Sequence, residues 1–137
     1  MDGQSESSPR PTRLFSYNIY VYKKPDMDEA SHHDHIQKVN TPIIKALLEK
    51  YGAVAYTVTH NDASARADFD RLFPEAPAGM LLDYDTVISM ITPNIECIEK
   101  MRQDPDFLVK FIPDHFNFAD MTQSRCIVGW AEYYHFK

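Results

Sequence analysis

The chain has 137 residues, enough for one domain, and its hydrophobic fraction of 44% argues against wholesale disorder. Its formal net charge of -6 disfavours nucleic acids and anionic membranes as partners, because an acidic surface repels their phosphates. No apolar run is long enough to cross a membrane, and Cys97 and Cys126 have neither disulfide-framework nor redox-motif spacing, so we expect a cytoplasmic protein with reduced thiols.

The N-terminal residues 1–12 are rich in Ser, Pro and charge. They predict a flexible tail, followed by one domain over residues 13–137. A dense apolar and aromatic run at 14–22 opens that domain. Its side chains alternate between two faces, one of which carries Tyr17, and this pattern predicts the first strand.

Apolar residues recur at helical spacing over 36–51, the clearest periodic signal in the chain. Ser31 is the expected N-cap, and Gly52 is expected to end the helix in the left-handed conformation. Thr41 and Pro42, inside this stretch, are typical of an N-cap and a first-turn proline. We therefore expect the helix to restart or kink there.

Alternation over 54–60 predicts a second strand that ends at His60, and 84–91 predicts a third strand that is apolar on both faces. The loop between them carries one short helix. On length alone, residues 61–80 are a candidate lid over a pocket.

Cap-and-proline pairs at 92–93 and 104–105 predict two further helix starts, and the first helix runs to Arg102. An irregular loop is expected at 113–122, with aromatic and His side chains. Residues 125–136 predict the last strand.

The predicted order β-α-β-(short α)-β-α-β is that of a ferredoxin-like βαββαβ fold of the α+β class, with a four-stranded antiparallel sheet. Two helices cover only one face of such a sheet. Several strands are nevertheless apolar on both faces; Trp130 and Tyr134, for example, oppose Ile127 and Tyr133. A second copy of the sheet is the simplest cover for the other face, which predicts a homodimer.

Histidine is the main candidate for acid–base chemistry because it titrates near neutrality. The chain has His32, His33, His35, His60, His115 and His135. Ligands one and two residues apart on a helix do not share a face, so the three helix-start histidines do not favour a metal site, and none is predicted. His35 is the best placed of the three, since it directly precedes the apolar stripe.

The candidate catalytic residues are His115, His35 and His60. His115 lies in an aromatic loop, where Asp114 or Asp120 is a candidate to fix its tautomer. His60 follows the alternation of the apolar residues in its strand, so its side chain is expected to point to the same side as theirs. The competing interpretation is that each is an ordinary hydrogen-bonded or solvated histidine.

Tyr17 and Tyr56 are candidates to project into the helix–sheet space and bind a polyphenol or carbonyl, and Phe116 and Phe118 are candidates to line the same pocket. Ordinary core packing, or docking of the loop, is the alternative for these aromatic residues. Phosphate-binding loops and nucleophile elbows are missing from the sequence. An apolar pocket with a few His and Tyr groups suits proton transfer on a flat hydrophobic substrate, without a cofactor.

Residues 17–26 (YNIYVYKKPD) and the histidine-rich helix start up to 41–42 resemble the EthD-like group of dimeric α+β barrels. Residues 111–121 (FIPDHFNFADM), followed by Gly-Trp at 129–130, are similar to a fungal subgroup of that family. This subgroup works beside non-reducing polyketide synthases and includes decarboxylases of atrochrysone carboxylic acid.

The resemblance implies a decarboxylase that acts on an aromatic polyketide carboxylic acid. His115 would protonate the carbonyl next to the departing carboxylate, with His35 and His60 as partners. Asn40 stands where the broader family often carries a histidine, and it is a candidate substrate-binding residue. An aldol-type cyclase or dehydratase with the same pocket, a non-catalytic dimer that binds a hydrophobic ligand, and haem binding remain open.

Overall fold

Four strands pair into one antiparallel sheet in the order β2-β3-β1-β4. They are Thr12–Val21 (β1), Ala55–His60 (β2), Thr86–Thr92 (β3) and Arg125–Tyr133 (β4). The computed structural model describes residues 12–134 and 136, so the predicted tail up to residue 11 and His135 lie outside the described residues. The strand order confirms the predicted ferredoxin-like α+β fold.

The helices are Glu29–His35 (α1), Thr41–Lys50 (α2), Ala63–Leu72 (α3), Ile95–Gln103 (α4) and Ile112–Asp114 (α5). Turns of π-helix at Ile36–Asn40 and Phe107–Phe111 lead directly into α2 and α5, and a 3-10 turn at His115–Asn117 follows α5. The chain over 29–50 is therefore one continuous helical rod, and 107–117 is a second helical segment where an irregular loop was expected from 113. Within the described residues, no helix is both long and apolar enough to cross a membrane.

Each π-helical turn directly precedes a residue pair that ends in proline. Proline has no N–H, and its ring collides with the carbonyl four residues earlier in a regular α-helix. Before Pro42 the turn is wider, because the Thr41 N–H bonds to the Ile36 carbonyl five residues back, and the same arrangement precedes Pro113. A regular α-helix does start again at Thr41, with Pro42 in its first turn, but it follows the π-helical turn directly and without a break in the helical backbone.

The helix caps correct two further expectations. Asp28, not Ser31, caps α1, and its carboxylate accepts a hydrogen bond of 2.7 Å from the Ser31 N–H. The cap of α4 is Asn94, one residue beyond the predicted cap-and-proline pair. Gly52 has φ +80°, which confirms the expected left-handed end of the long helix.

One face of the sheet carries the core. Ile88 and Met90 of β3 are fully buried, and the register places Tyr17 of β1 and Tyr56 of β2 on either side of Met90. All four side chains therefore point towards the helices. Apolar residues of α2, α4 and the 107–117 segment complete this core.

Asp104 joins the end of the long helix to the end of α4. Its carboxylate accepts hydrogen bonds from Lys50 Nζ at 2.8 Å, from the Tyr51 hydroxyl at 2.7 Å and from the Asp106 N–H at 2.9 Å. These bonds lower the pKa of Asp104 to about 2, and the bond from Lys50 has the largest effect. The anchor holds the two helices in register over the sheet.

The other face of the sheet has no covering element among the described residues. A polar ladder crosses its centre, in which Ser89 donates to Asn18 at 2.6 Å and Asn18 donates to Ser16 at 3.0 Å. Half-buried Ile91 lies on this face, and so does Ile127, which is 57% exposed. The face is thus a mainly apolar surface around a polar centre.

We expect Ile88→Ala to lower the free energy of unfolding by about 2–5 kcal/mol, because it removes buried methylene and methyl groups from a fully buried site. Urea denaturation monitored by circular dichroism would measure the loss. Val109→Ala is the control, since Val109 is 71% exposed and its truncation should change stability by less than about 0.5 kcal/mol. Equal losses in both variants would contradict the assigned core.

Candidate active site

Three histidine rings surround the buried ring of Phe118. The centroid of Phe118 lies 5.8 Å from that of His32 and 5.4 Å from those of His35 and His115. The long helix supplies the first two imidazoles, and the 107–117 segment supplies the third. We call His32, His35, His115 and Phe118 the histidine cluster.

His32 is the structural member of the cluster. Its Nδ1–H donates to the Phe118 carbonyl at 2.9 Å, so Nε2 is left to accept the Thr86 hydroxyl at 2.8 Å. The side chain is fully buried, and burial lowers the pKa of His32. With both nitrogens satisfied in the neutral form, this imidazole joins the helix, the sheet and Phe118, the residue that follows the 107–117 segment. This role was not predictable from the sequence, because the partners of His32 are 54 and 86 positions away in the chain.

Asp114 organises the cluster on its outer side. One carboxylate oxygen accepts His35 Nε2–H at 2.8 Å and Asn117 Nδ2 at 3.0 Å, and the other accepts Asn40 Nδ2 at 3.0 Å. Burial would raise the pKa of Asp114, but the bonds from Asn117, Asn40 and His35 together lower it. Asp114 and Asp120 were the two candidates to orient His115. Asp114 orients His35 instead, and the Asp120 carboxylate bonds to Thr122.

The π-helical turn explains how His35 and Asn40 reach one carboxylate. Residues five apart diverge on a regular α-helix, where neighbours on one face are three or four apart. The wider turn at 36–40 brings the two side chains back to the same side. A proline at position 42 thus helps to shape the site two residues away.

His115 is buried in the cluster and has one fixed tautomer when neutral. Its Nδ1–H donates to the Phe111 carbonyl at 2.8 Å, which leaves the Nε2 lone pair as the proton acceptor. Burial lowers the pKa of His115 and so favours the neutral ring. A neutral imidazole with a free lone pair is the form that a general base requires.

His60 reaches the cluster only through a neighbour. Its ring centroid lies 4.0 Å from that of His33, with the two rings tilted by 42°, and His33 in turn lies 5.9 Å from His32. Burial is the first cause that lowers the pKa of His60, and His33 is the second. His60 Nδ1 is buried without a hydrogen-bond partner in the described part of the chain.

Two further buried polar atoms lack a partner within residues 12–134 and 136: Asn40 Oδ1 and the Tyr56 hydroxyl. Asn40 cannot turn its amide over, because Oδ1 would then face the Asp114 carboxylate, so Oδ1 remains a free acceptor. Burial raises the pKa of Tyr56, and the nearby Thr41 side chain lowers it. The Tyr56 hydroxyl and Thr41 nevertheless do not form a hydrogen bond of acceptable geometry. Groups of this kind are rare in native proteins and require an explanation.

Tyr17 and Phe116 lie apart from the cluster. Tyr17 lines a cleft of about 660 Å³ between α4 and β4, whose walls include Phe15, Phe107 and Val128; we call it the α4–β4 cleft. Phe116 is 61% exposed on the outside of the 107–117 segment. The predicted common pocket for Tyr17 and Tyr56 is therefore divided between two places.

A second concave surface lies within the predicted lid. It measures about 460 Å³ and is formed by apolar residues of α3 and the following loop, among them Phe69, Leu72 and Met80. We call it the α3 depression. An ion pair of 3.1 Å between Glu29 and Arg66 ties α3 to α1. No group of three or more His, Cys, Asp or Glu side chains among the described residues is arranged to hold a metal ion.

The sequence of this chain is similar to a known domain family and to fungal proteins. The EthD domain matches residues 24–122. The chain is 48% identical over 126 residues to the dehydratase CTB10 of Cercospora beticola, covering 92% of this chain and 96% of that protein. It is 34% identical over 131 residues to the decarboxylase claH of Passalora fulva, covering 96% and 84%.

Solved structures show the same fold at low identity. An EthD family protein from Bacillus halodurans matches with a TM-score of 0.58 and 14% identity, over 85% of this chain and 96% of that one. A dimeric protein of ferredoxin-like fold from Bacteroides fragilis matches with a TM-score of 0.55 and 10% identity, over 88% and 96%.

We expect the protein to lose stability as the pH falls below about 6.5, the ordinary value for histidine in an unfolded chain. Folding lowers the pKa of His32, His60 and His115, so as the pH falls the unfolded state takes up protons at these residues before the folded state does, and this favours unfolding. Above a pH of about 6.5 the three histidines are neutral in both states, so the free energy of unfolding is not reduced by this effect.

Urea midpoints at about pH 7.5 and about pH 5.5 would measure this loss of stability. His32→Gln should reduce the difference between the two midpoints, and Lys38→Gln, on the exposed side of the same helix, should not. A difference unchanged in His32→Gln would show that the buried imidazole does not govern the acid response.

Proposed function

This chain belongs to the EthD domain family, and we propose that it is a dehydratase that removes water from a β-hydroxy carbonyl unit of an aromatic polyketide intermediate. Curated relatives are named dehydratases and decarboxylases, and the chain is an enzyme, as the sequence predicted. The identity of 48% with a dehydratase, against 34% with a decarboxylase, favours loss of water as the first candidate.

The observation that carries the proposal is a pair of imidazoles, each fixed at one nitrogen, on the same aromatic ring. His115 is held by the Phe111 carbonyl and His35 by the Asp114 carboxylate, and both lie 5.4 Å from Phe118. Elimination of water needs one group that takes a proton and another that gives one. Two oriented imidazoles supply this pair.

In the proposed reaction His115 Nε2 removes the proton next to the carbonyl. The electrons of that C–H bond form the new double bond as the C–O bond to the hydroxyl breaks. His35 donates a proton to the departing hydroxide, so the leaving group is water. The protonated form of His35 keeps its Nε2–H on Asp114, and its side chain is 21% exposed, so it can recover a proton from solvent.

The buried polar atoms without partners support a binding role beside this pair. Asn40 Oδ1 is an acceptor that suits a substrate hydroxyl, while the Tyr56 hydroxyl and His60 Nδ1 can meet a further oxygen substituent. Phe118, which was expected to line the pocket, is fully buried among the imidazoles, so it supports the pair and presents no surface to a substrate. Tyr17 and Phe116 are not part of this proposal, because they lie outside the cluster.

Decarboxylation of an aromatic polyketide acid is the second candidate, and the similarity to a decarboxylase over 96% of this chain favours it. The same groups would act in another order. A protonated His35 would polarise the carbonyl beside the carboxylate, carbon dioxide would leave as electrons move onto that oxygen, and a histidine would then protonate carbon.

We expect the purified protein to convert a β-hydroxy aromatic polyketide to a product that has lost one water, as followed by mass spectrometry. His115→Gln and His35→Gln should each lower kcat by roughly 10²- to 10⁴-fold, because each removes one positioned proton-transfer group. Lys38→Gln is the control and should retain activity, since it changes an exposed side chain of the same long helix whose ion pair is with Asp34 and not with the cluster.

Each other outcome has a distinct meaning. Loss of carbon dioxide from an aromatic acid, above the spontaneous rate and dependent on the same histidines, would select the decarboxylase. Turnover that survives both substitutions would reject the assigned roles. Saturable binding without turnover would favour the non-catalytic dimer.

We also propose that the protein is a homodimer formed through the uncovered face of the sheet, and a structural relative is described as dimeric. Light scattering after size exclusion should give twice the mass of the chain. Ile127→Asp should shift the protein towards monomer because it places a charge on that face. Val109→Asp, on the exposed helical segment, should not. A wild-type monomer would contradict the proposal.

A further inference from the structure

The segment that joins β2 to β3 stands away from the core. No residue of the described stretch 62–81 is buried, although this stretch contains all of α3; we call it the flap. Leu72 and Phe73 are each 59% exposed and Met80 is 60% exposed. The α3 depression is formed by residues of the flap alone. Segments with few buried apolar contacts open at a lower free-energy cost than the core does, so the flap is suited to move on its own.

The two ends of the flap meet at a narrow neck. Asn61 Nδ2 donates to the carbonyls of Leu82 and Tyr84, each at 2.8 Å. The Asn61 N–H donates to the Asp85 carbonyl at 2.9 Å. One side chain therefore clamps the start of the flap to its end, immediately beside the sheet. The flap can turn about this neck while the pairing of β2 with β3 stays intact.

A single carboxylate ties the flap to the rest of the fold. Within the described part of the chain, Glu29 of α1 is the only residue outside 61–85 that forms a hydrogen bond or ion pair with the flap. Its Oε2 accepts Arg66 Nη2 at 3.1 Å, and its Oε1 accepts the Ala63 N–H at 3.3 Å. The Glu29 and Arg66 side chains are both 33% exposed, so water competes for them and the tie is weak.

The start of the flap lies beside the imidazoles of His33 and His60. The bond from the Ala65 N–H has the largest effect in lowering the pKa of Asp62, and the charges of His33 and His60 lower it further. Both imidazoles are therefore close to the first residue of the flap. His60 Nδ1 is buried and has no hydrogen-bond partner in the described residues. A ligand can reach such an atom only when a neighbouring element moves.

We propose that the flap is a gate, held shut by Glu29, that admits a ligand to His60. Opening about the neck carries the first turn of α3 away from the two imidazoles. The gate rests on the proposed function in one respect, because His60 Nδ1 is an atom assigned there to a substrate oxygen. The movement is nevertheless measured without turnover, so a flap that stays shut and a reaction that fails are distinguishable.

The reaction of His60 with diethyl pyrocarbonate, followed by peptide mass spectrometry, measures opening of the gate. We expect Glu29→Gln and Arg66→Gln each to raise the labelling rate of His60 roughly threefold to fivefold, the upper range for a partly exposed ion pair. The double variant should label no faster, because both changes remove the same ion pair. Asp34→Asn is the control, since it removes a carboxylate from the same helix, and the rate of His115 should not change in any variant.

Protonation does not explain a change in this rate. Burial, as the first cause, lowers the pKa of His60, so at a pH of about 7.5 its imidazole is neutral in every variant. Salt at about 1 M screens exposed charges. It should therefore speed the labelling of His60 in the wild type and leave the rate in Glu29→Gln unchanged.

Hydrogen exchange followed by mass spectrometry locates the movement. In Glu29→Gln the amides of 63–72 should exchange faster, while those of α1 and β2 should keep the wild-type rate. The inference is overturned if His60 labels at the wild-type rate in Glu29→Gln, or if Asp34→Asn speeds it equally. It is also overturned if α1 and β2 exchange faster to the same extent as the flap, because the fold would then be loosened as a whole.

Discussion

A buried carboxylate, that of Asp114, is the group on which the candidate site depends. An isolated charge in a protein interior is costly unless hydrogen bonds compensate it. Asp114 is 6% exposed and accepts bonds from His35, Asn40 and Asn117, which come from two different helical elements. This one requirement fixes the long helix against the 107–117 segment. It also fixes the orientation of the His35 imidazole and of the Asn40 amide, whose side chains make no other hydrogen bond within the described residues.

Local backbone chemistry makes that arrangement reachable. Two prolines stand inside helical stretches, and in each case a π-helical turn absorbs the misfit instead of a break. The first turn brings His35 and Asn40 to the same carboxylate, and the second comes immediately before Asp114 and His115. The positions of the catalytic candidates therefore follow from where proline interrupts the regular helical bonding, more than from any loop.

The sequence predicted the sheet and the long helix well because their signals are periodic and local. Alternation over 54–60 and helical spacing over 36–51 each depend on side chains a few positions apart. The helix starts were less accurate, since several Asp, Asn, Ser and Thr residues compete for each cap, and Asp28 could not be distinguished from Ser31. For the site, residue type singled out His35 and His115. Their partners are set by packing between distant segments, so the role of Asp114 and the separation of Tyr17 from Tyr56 were not predictable.

The π-helical turn at 36–40 has a genetic consequence. It holds one residue more than a regular turn, so removal of one codon from 37–39 would leave a turn of ordinary width. His35 and Asn40 would then be four positions apart and would still share one face, beside Asp114. Pro42, however, would stand in a regular α-helical turn, where its ring collides with the carbonyl four residues earlier. A lineage that lost this residue would thus keep the pairing at the carboxylate only if it also replaced the proline.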